Sequence, residues 1–197
     1  MKSAKQKKTL CNFENLDLKI NEVINTKEWD KFIQLFKKAE HIYIVGNGGN
    51  WAVATHAAVD LSRLTNKKVF SLDSTCYMSS IANDAGYENV FKKWLDVYSD
   101  KKIKSLLICF SATGTSKNIV NSIKWSDKQK NFQNFLITAN LKKKINKNSN
   151  VLNLNLKYFH SSELLTFMLF YEIVYQLGYK CPTILDEVDR RVKSEIK

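Results

Sequence analysis

The segment Val45-Gly46-Asn47-Gly48-Gly49-Asn50 follows an apolar run at 42–45 and leads into a long helical pattern that carries His56 and Asp60. No other stretch constrains the chain as much. Strand, tight glycine turn and helix N-terminus in that order begin a βα unit whose free backbone N–H groups suit an anion. A second such turn, Ser111-Ala112-Thr113-Gly114-Thr115-Ser116, follows another apolar run at 106–110. Four of the six glycines (Gly46, Gly48, Gly49 and Gly114) fall in these two turns, so backbone freedom is concentrated where a ligand must come close. The first turn lacks the G-x-G-x-x-G spacing of a dinucleotide fold, and the second lacks the lysine of a P-loop, so no nucleotide is expected.

Around the two turns, short apolar runs alternate with amphipathic stretches. The pattern predicts strands at 41–45, 68–72, 106–110, 132–138 and 151–156, and helices at 49–64, 75–85, 88–98, 115–125 and 161–177. Such alternation with short connections implies an α/β fold, a three-layer, doubly wound, five-stranded parallel sheet with helices on both faces. Ligands of such sheets sit beyond the carboxyl ends of the strands, where both turns fall. Two amphipathic helices, at 13–24 and 27–40, come before the first strand; with no strand to bracket them, they are expected to pack across a subunit interface or cap the sheet edge. The chain thus reads as a helical arm at 1–40 at an oligomer interface, a sheet domain at 41–180, and a charged tail helix at 181–197 after the only proline, Pro182.

A length of 197 residues with 44% apolar content suffices for one core. No stretch approaches the ~20 continuous apolar residues of a membrane span, and the lysine-rich N-terminus lacks the apolar core of a signal peptide, so the cytoplasm is expected. The four cysteines (Cys11, Cys76, Cys109, Cys181) lie far apart and read as reduced, with Cys109 in the core. The formal charge of +12 comes from scattered lysines, clustered only at 2–8 and 142–147 and without interleaved aromatics. That favours small anionic ligands over nucleic acid or a membrane.

Three groups of side chains bear on chemistry. Ser111, Thr113, Thr115 and Ser116 surround Gly114 at a helix start, where hydroxyls, backbone N–H groups and the helix dipole together suit a phosphate. His56 and Asp60, four residues apart, share one face of a nearly all-apolar helix; the spacing suits either a metal pair or a base with its orienting partner. Glu172 lies in a very apolar helix and is costly to bury unless it is paired, metal-bound or protonated; the other reading is a polar helix edge or an intersubunit partner for a lysine. Glu163, nine residues earlier, is half a turn out of phase with it, so the two glutamates are not expected to serve one site.

In this order Gly46-Asn47-Gly48-Gly49, His56 and Asp60, Ala82-Asn83-Asp84-Ala85-Gly86-Tyr87 and Ser111-Ala112-Thr113-Gly114-Thr115-Ser116 resemble the sugar isomerase (SIS) domain family, and within it the sedoheptulose-7-phosphate (phosphoheptose) isomerases. The resemblance runs from about residue 41 to 177. It implies a flavodoxin-like sheet and a homotetramer whose active sites lie between subunits. It also implies that Ser111, Thr113 and Ser116 hold the sugar phosphate, with Ala112 and Thr115 in the same loop, and that Asn47, Asn50 and Asp84 line the substrate beside Gly48 and Gly49. His56 and Asp60 fall where these isomerases carry a metal-ligating histidine and an acidic residue that is both base and zinc ligand.

The chain departs from the pattern at three places. Asn50 stands where serine is usual, and Asp60 where glutamate is usual. The last helix normally supplies a glutamine and a histidine eight residues apart; aligned through Gln176-Leu177, those positions fall on Leu164 and Glu172. On this reading Asp60 is the base, Glu172 the partner acid, and His56 either orients Asp60 or joins Asp60 and Glu172 around one zinc or other divalent ion per site. The implied reaction is isomerisation of sedoheptulose 7-phosphate to D-glycero-D-manno-heptose 7-phosphate for bacterial heptose and surface polysaccharide biosynthesis. The alternatives are a non-catalytic sugar-phosphate-binding adaptor or sensor, and an isomerase of another phosphosugar.

Overall fold

The computed structural model describes residues 11–141 and 150–195, so both lysine clusters expected to be solvated, at 2–8 and 142–147, lie outside the described residues. The five strands β1 (His41–Val45), β2 (Lys68–Ser71), β3 (Ser105–Phe110), β4 (Phe132–Thr138) and β5 (Asn150–Asn153) form one sheet. Its order is β2-β1-β3-β4-β5, and every pairing is parallel. The order reverses between β1 and β3, and the glycine turn and the hydroxyl turn leave the carboxyl ends of those two strands. That is the switch point where a doubly wound sheet opens a crevice.

Period-two alternation along the strands divides the interior into two cores. Ile42, Ile44, Leu106, Ile108, Phe110, Phe135 and Ile137 face one way. They are covered by helices α1 (Leu16–Ile24), α2 (Lys27–Lys38), α3 (Gly49–Leu64) and α7 (Phe159–Gln176). Tyr43, Val45, Leu107, Cys109, Phe132 and Leu136 face the other way, towards α4 (Thr75–Ala85), α5 (Val90–Tyr98) and α6 (Lys117–Ser126). Cys109 is fully buried there, and burial pushes its thiol up to about 12.

Helix α2 places Trp29, Phe32 and Phe36 at 0% exposure, with the Phe32 ring 4.7 Å from that of Phe135 on β4. Thr26 caps α2, accepting a hydrogen bond from the Trp29 N–H, with Glu28 and Asp30 in the first turn and Lys37 and Lys38 in the last. Helix α2 is therefore a layer of its own chain's core, its aromatic stripe covering the β4–β5 side of the sheet face that α3 and α7 cover elsewhere. Near the chain start, the Glu14 carboxylate accepts the backbone N–H groups of Lys157 and Tyr158 at 3.0 and 3.1 Å, fixing where α7 begins.

Several boundaries differ from the sequence expectation by one to three residues, and three of the differences have a local cause. The helix expected at 88–98 is divided into a 3-10 turn (Tyr87–Asn89) and α5, parting at Asn89, whose backbone (φ −110°, ψ −1°) departs from α-helical geometry. Strand β5 stops at Asn153; Leu154 and Leu156 still donate to the Thr138 and Ala139 carbonyls, but Asn155 between them takes φ +52°. Helix α6 starts two residues late, at Lys117, since Ser116 is its N-cap. The tail helix α8 (Ile184–Glu195) leaves Ile184 and Leu185 exposed.

Truncating the α2 aromatic stripe tests its place in the core. Phe32→Ala is expected to lower stability by about 3–5 kcal/mol in urea denaturation, whereas an arm serving only an interface would give less than about 1 kcal/mol in the isolated chain.

Candidate active site

Gly46 ends β1, and a Cβ there would stand 2.7 Å from the Asn50 carbonyl oxygen and 2.8 Å from its carbon. The turn therefore folds back on its own helix through backbone contact. Gly48 follows at φ +57°, a conformation that favours glycine, and α3 begins at Gly49. A Cβ at Gly49 would overlap the carboxyl group of Glu163 from α7.

The two turns are tied together by side-chain amides. Asn47 Nδ2 donates to Asn118 Oδ1 at 3.0 Å and Asn118 Nδ2 donates to Asn47 Oδ1 at 2.8 Å; the Tyr87 hydroxyl also donates to Asn47 Oδ1, at 2.9 Å. Asn118 is 3% exposed, and its Oδ1 additionally accepts the Ile119 N–H. Asn50 is buried beside this pair, whereas Asp84 is exposed at the end of α4 and accepts from its neighbour Asn83.

The hydroxyl turn wraps the N-terminus of α6. Ser116 is the N-cap, yet its side chain makes no cap hydrogen bond; its Oγ lies 3.3 Å from Ser111 Oγ. Thr113 Oγ1 and Thr115 Oγ1 pair at 2.6 Å across Gly114, which sits at φ +69°. The floor is fixed from β4: the Thr138 hydroxyl donates to the Ala112 carbonyl at 3.0 Å, and the Asn140 N–H donates to the same carbonyl. These hydroxyls bond one another rather than the helix ends, which leaves them available to an anion at the positive end of α6.

A second cluster lies further along α3. His56 Nε2 stands 3.0 Å from Asp60 Oδ2, and the Tyr171 hydroxyl donates to that same oxygen at 2.7 Å. The phenol is also 3.4 Å from His56 Nε2, and Phe167 packs its ring 4.8 Å from the imidazole. These residues, with Ala57, Leu61, Phe170 and Val174, line a small pocket between α3 and α7. Burial, and then the neighbouring Asp60 carboxylate, push the Tyr171 phenol up to about 12, so it stays protonated and donates.

Glu172 does not join them. It accepts from Gln176 Nε2 at 3.1 Å, and Gln176 Oε1 in turn accepts the Trp29 indole N–H at 3.1 Å. The expected grouping of Glu172 with His56 and Asp60, whether as partner acid or as third metal ligand, does not form in the chain. The physical reason is helix phase: α3 meets the stripe Glu163, Phe167, Tyr171, and the next residue is rotated by about 100°. Among the described residues no group of three or more His, Cys, Asp or Glu side chains gathers in a way that would hold a metal ion.

Comparison with known proteins gives these loops a context. No family model matches the chain. The phosphoheptose isomerase of Glaesserella parasuis is 28% identical over 131 residues, 60% of this chain and 67% of that protein. That of Sulfurimonas denitrificans is 32% identical over 127 residues, 61% of this chain and 62% of that protein. Among solved structures, the phosphoheptose isomerase of Neisseria gonorrhoeae superposes with a TM-score of 0.71 at 16% identity, covering 84% of this chain and 92% of that one. The chain is similar in sequence to phosphoheptose isomerases and shares their SIS fold. The sequence matches span about half to two-thirds of the length of the curated relatives.

Set against the phosphoheptose isomerase pattern, the eight-residue pair on the last helix that faces α3 is Glu163 and Tyr171, one position earlier than the alignment through Gln176-Leu177 gives. Sequence reasoning missed both, and Asn118 and Tyr87 as well. The α7 pair was accessible from periodicity, since Leu165, Leu169, Ile173 and Val174 mark the buried phase and place 163, 167 and 171 beside it. Asn118 carries no comparable signal, because its partner lies across the sheet.

The two turn glycines separate space from backbone. Gly46→Ala meets rigid backbone and is expected to cost about 2 kcal/mol or more. Gly49→Ala meets only the movable end of Glu163, so it should cost less than about 1 kcal/mol while displacing that carboxylate. Urea denaturation of the two variants checks the contrast.

Proposed function

We propose that the chain is a phosphosugar isomerase interconverting a ketose and an aldose phosphate, with sedoheptulose 7-phosphate and D-glycero-D-manno-heptose 7-phosphate as its pair. The observation that carries this reading is the cradle of Ser111, Thr113, Thr115 and Ser116 at the head of α6, locked through Asn118 and Asn47 to the glycine turn. It offers neutral donors and a helix dipole to a phosphate dianion. The phosphoheptose isomerases among its sequence relatives support the substrate class. The product would feed heptose into bacterial surface polysaccharide, with the reaction in the cytoplasm.

Asp60 is the base. From a 2-ketose, its carboxylate takes a proton from C1; the C1–H electron pair becomes the second C1–C2 bond, and the carbonyl pair moves to O2, which takes a proton from water. On return, C2 receives the proton held by Asp60, and O1 releases its proton to water as the C1 carbonyl forms. The net change is an isomerisation with no redox partner.

Geometry also supports a shared site. Eleven residues of α3 separate Gly49 from Asp60, about 16 Å of helix axis. The phosphate cradle lies at the Gly49 end, because Asn47 and Asn118 are bonded there. A seven-carbon phosphosugar is shorter than that separation, which supports pairing one chain's cradle with the Asp60 of another on one substrate molecule. A homo-oligomer, with the tetramer as the expected form, would bring the cradle of one chain to the Asp60 of another. A catalytic zinc takes three protein donors; among the described residues of one chain His56 and Asp60 stand together and no third His, Cys, Asp or Glu joins them. That pair alone does not complete the zinc site expected from the resemblance, and no step above passes through a metal.

An NMR time course with sedoheptulose 7-phosphate, with and without added zinc, tests the reading. Formation of an aldoheptose phosphate is expected, with kcat reduced about 10²–10⁴-fold in Asp60→Asn. Ser116→Ala should raise KM at nearly unchanged kcat, since it removes a phosphate donor remote from the reacting carbons. Saturable phosphosugar binding without product would instead support a sensor or adaptor, the reading that fits Tyr171 and Glu172 standing where the resemblance places a histidine on α7.

A further inference from the structure

Asp60 receives both of its described side-chain contacts on one oxygen. His56 Nε2 and the Tyr171 hydroxyl meet at Oδ2, at 3.0 and 2.7 Å, and Oδ1 has no hydrogen-bond partner among the described residues. The Asp60 side chain is 24% exposed and lines the α3–α7 pocket, so one oxygen is tethered while the other stays unengaged.

A carboxylate on a two-bond stem turns about χ1 and χ2, and terminal sp³–sp² torsions are broad. A base must instead hold one lone pair towards the proton it removes, and small misplacements are costly. His56 cannot fix the carboxylate unaided, because its own side chain is 54% exposed. Tyr171 is better held. Its ring meets Phe167 at 5.5 Å, edge to face, and its hydroxyl reaches Asp60 from a different helix.

We infer that Tyr171 is the positioning residue of the base: by donating to Oδ2 from α7 it orients the Asp60 carboxylate so that Oδ1 takes the carbon-bound proton. This rests on the isomerase reading given above. In this chain the last helix thus supplies a fixed neutral donor to the base in place of an acid that exchanges protons itself. Glu172, one residue along, has no part in it.

Phenylalanine at 171 keeps the ring contact with Phe167 and removes the hydroxyl; 4-aminophenylalanine at the same position keeps the ring and restores a donor. Sedoheptulose 7-phosphate in D₂O, followed by NMR, reports proton removal as deuterium exchange at C1 and isomerisation as aldose product. Tyr171→Phe is expected to lower both rates about 10- to 100-fold with KM unchanged within about twofold, and the amino variant to recover most of the loss. Since both variants share the ring, recovery in the second excludes misfolding as the cause of loss in the first. Wild-type rates in Tyr171→Phe overturn the positioning role and leave the isomerase reading intact. Asp60-dependent exchange that never yields aldose, and that falls in Tyr171→Phe, supports the positioning role and overturns the isomerase reading. Absence of Asp60-dependent exchange in the wild type overturns both.

Discussion

The close packing of α3 against α7 is the constraint on which the candidate site depends. Ala54, Ala57 and Ala58 give α3 a shallow face, and Leu169, Phe170, Ile173 and Val174 of α7 bury beside it on the same side of the sheet. Small residues on one helix let the larger residues of the other approach, which fixes the phase of both. Once that phase is set, the polar side chains at the seam have no choice of partner. Glu163 lies over Gly49, Phe167 against His56, and Tyr171 on Asp60.

The same packing explains what was legible in the sequence. Strands and helices followed from apolar periodicity because each βα unit repeats one physical demand, the covering of both sheet faces. The hydroxyl turn at the head of α6 was legible because hydroxyls around a glycine at a helix start are a local arrangement. The Asp60 partner was not. Glu172 drew attention as a carboxylate in apolar surroundings, but Gln176 and Trp29 satisfy it through contacts 4 and 147 residues apart in the chain. A hydrogen bond closed by the first buried aromatic of α2 has no signature in the helix that contains its acceptor.

Helix α2 makes a related point about the N-terminal region. Its pattern of Trp29, Phe32, Ile33 and Phe36 reads as an amphipathic helix, but periodicity does not say what the apolar face meets. In the structure that face lies against β4 and β5 beneath the sheet's far edge, and the Trp29 indole reaches α7. The end of α7 that carries Tyr171 is therefore held from below by the opening segments of the chain, as its beginning is held by Glu14. The N-terminal helices thus support the α7 wall of the site, although among the described residues they contribute no group to the His56–Asp60–Tyr171 cluster.

The hydroxyl turn, finally, is satisfied before any anion arrives. Ser111 with Ser116, and Thr113 with Thr115, exchange hydrogen bonds within the loop, while Thr138 and Asn140 hold its backbone from β4. On the proposed function, capture of a phosphate would swap hydroxyl–hydroxyl bonds for stronger charge-assisted ones without ordering new backbone. Little conformational entropy would then be spent at the phosphate end, and the affinity gained there would be free to draw the reacting carbons of the sugar into register.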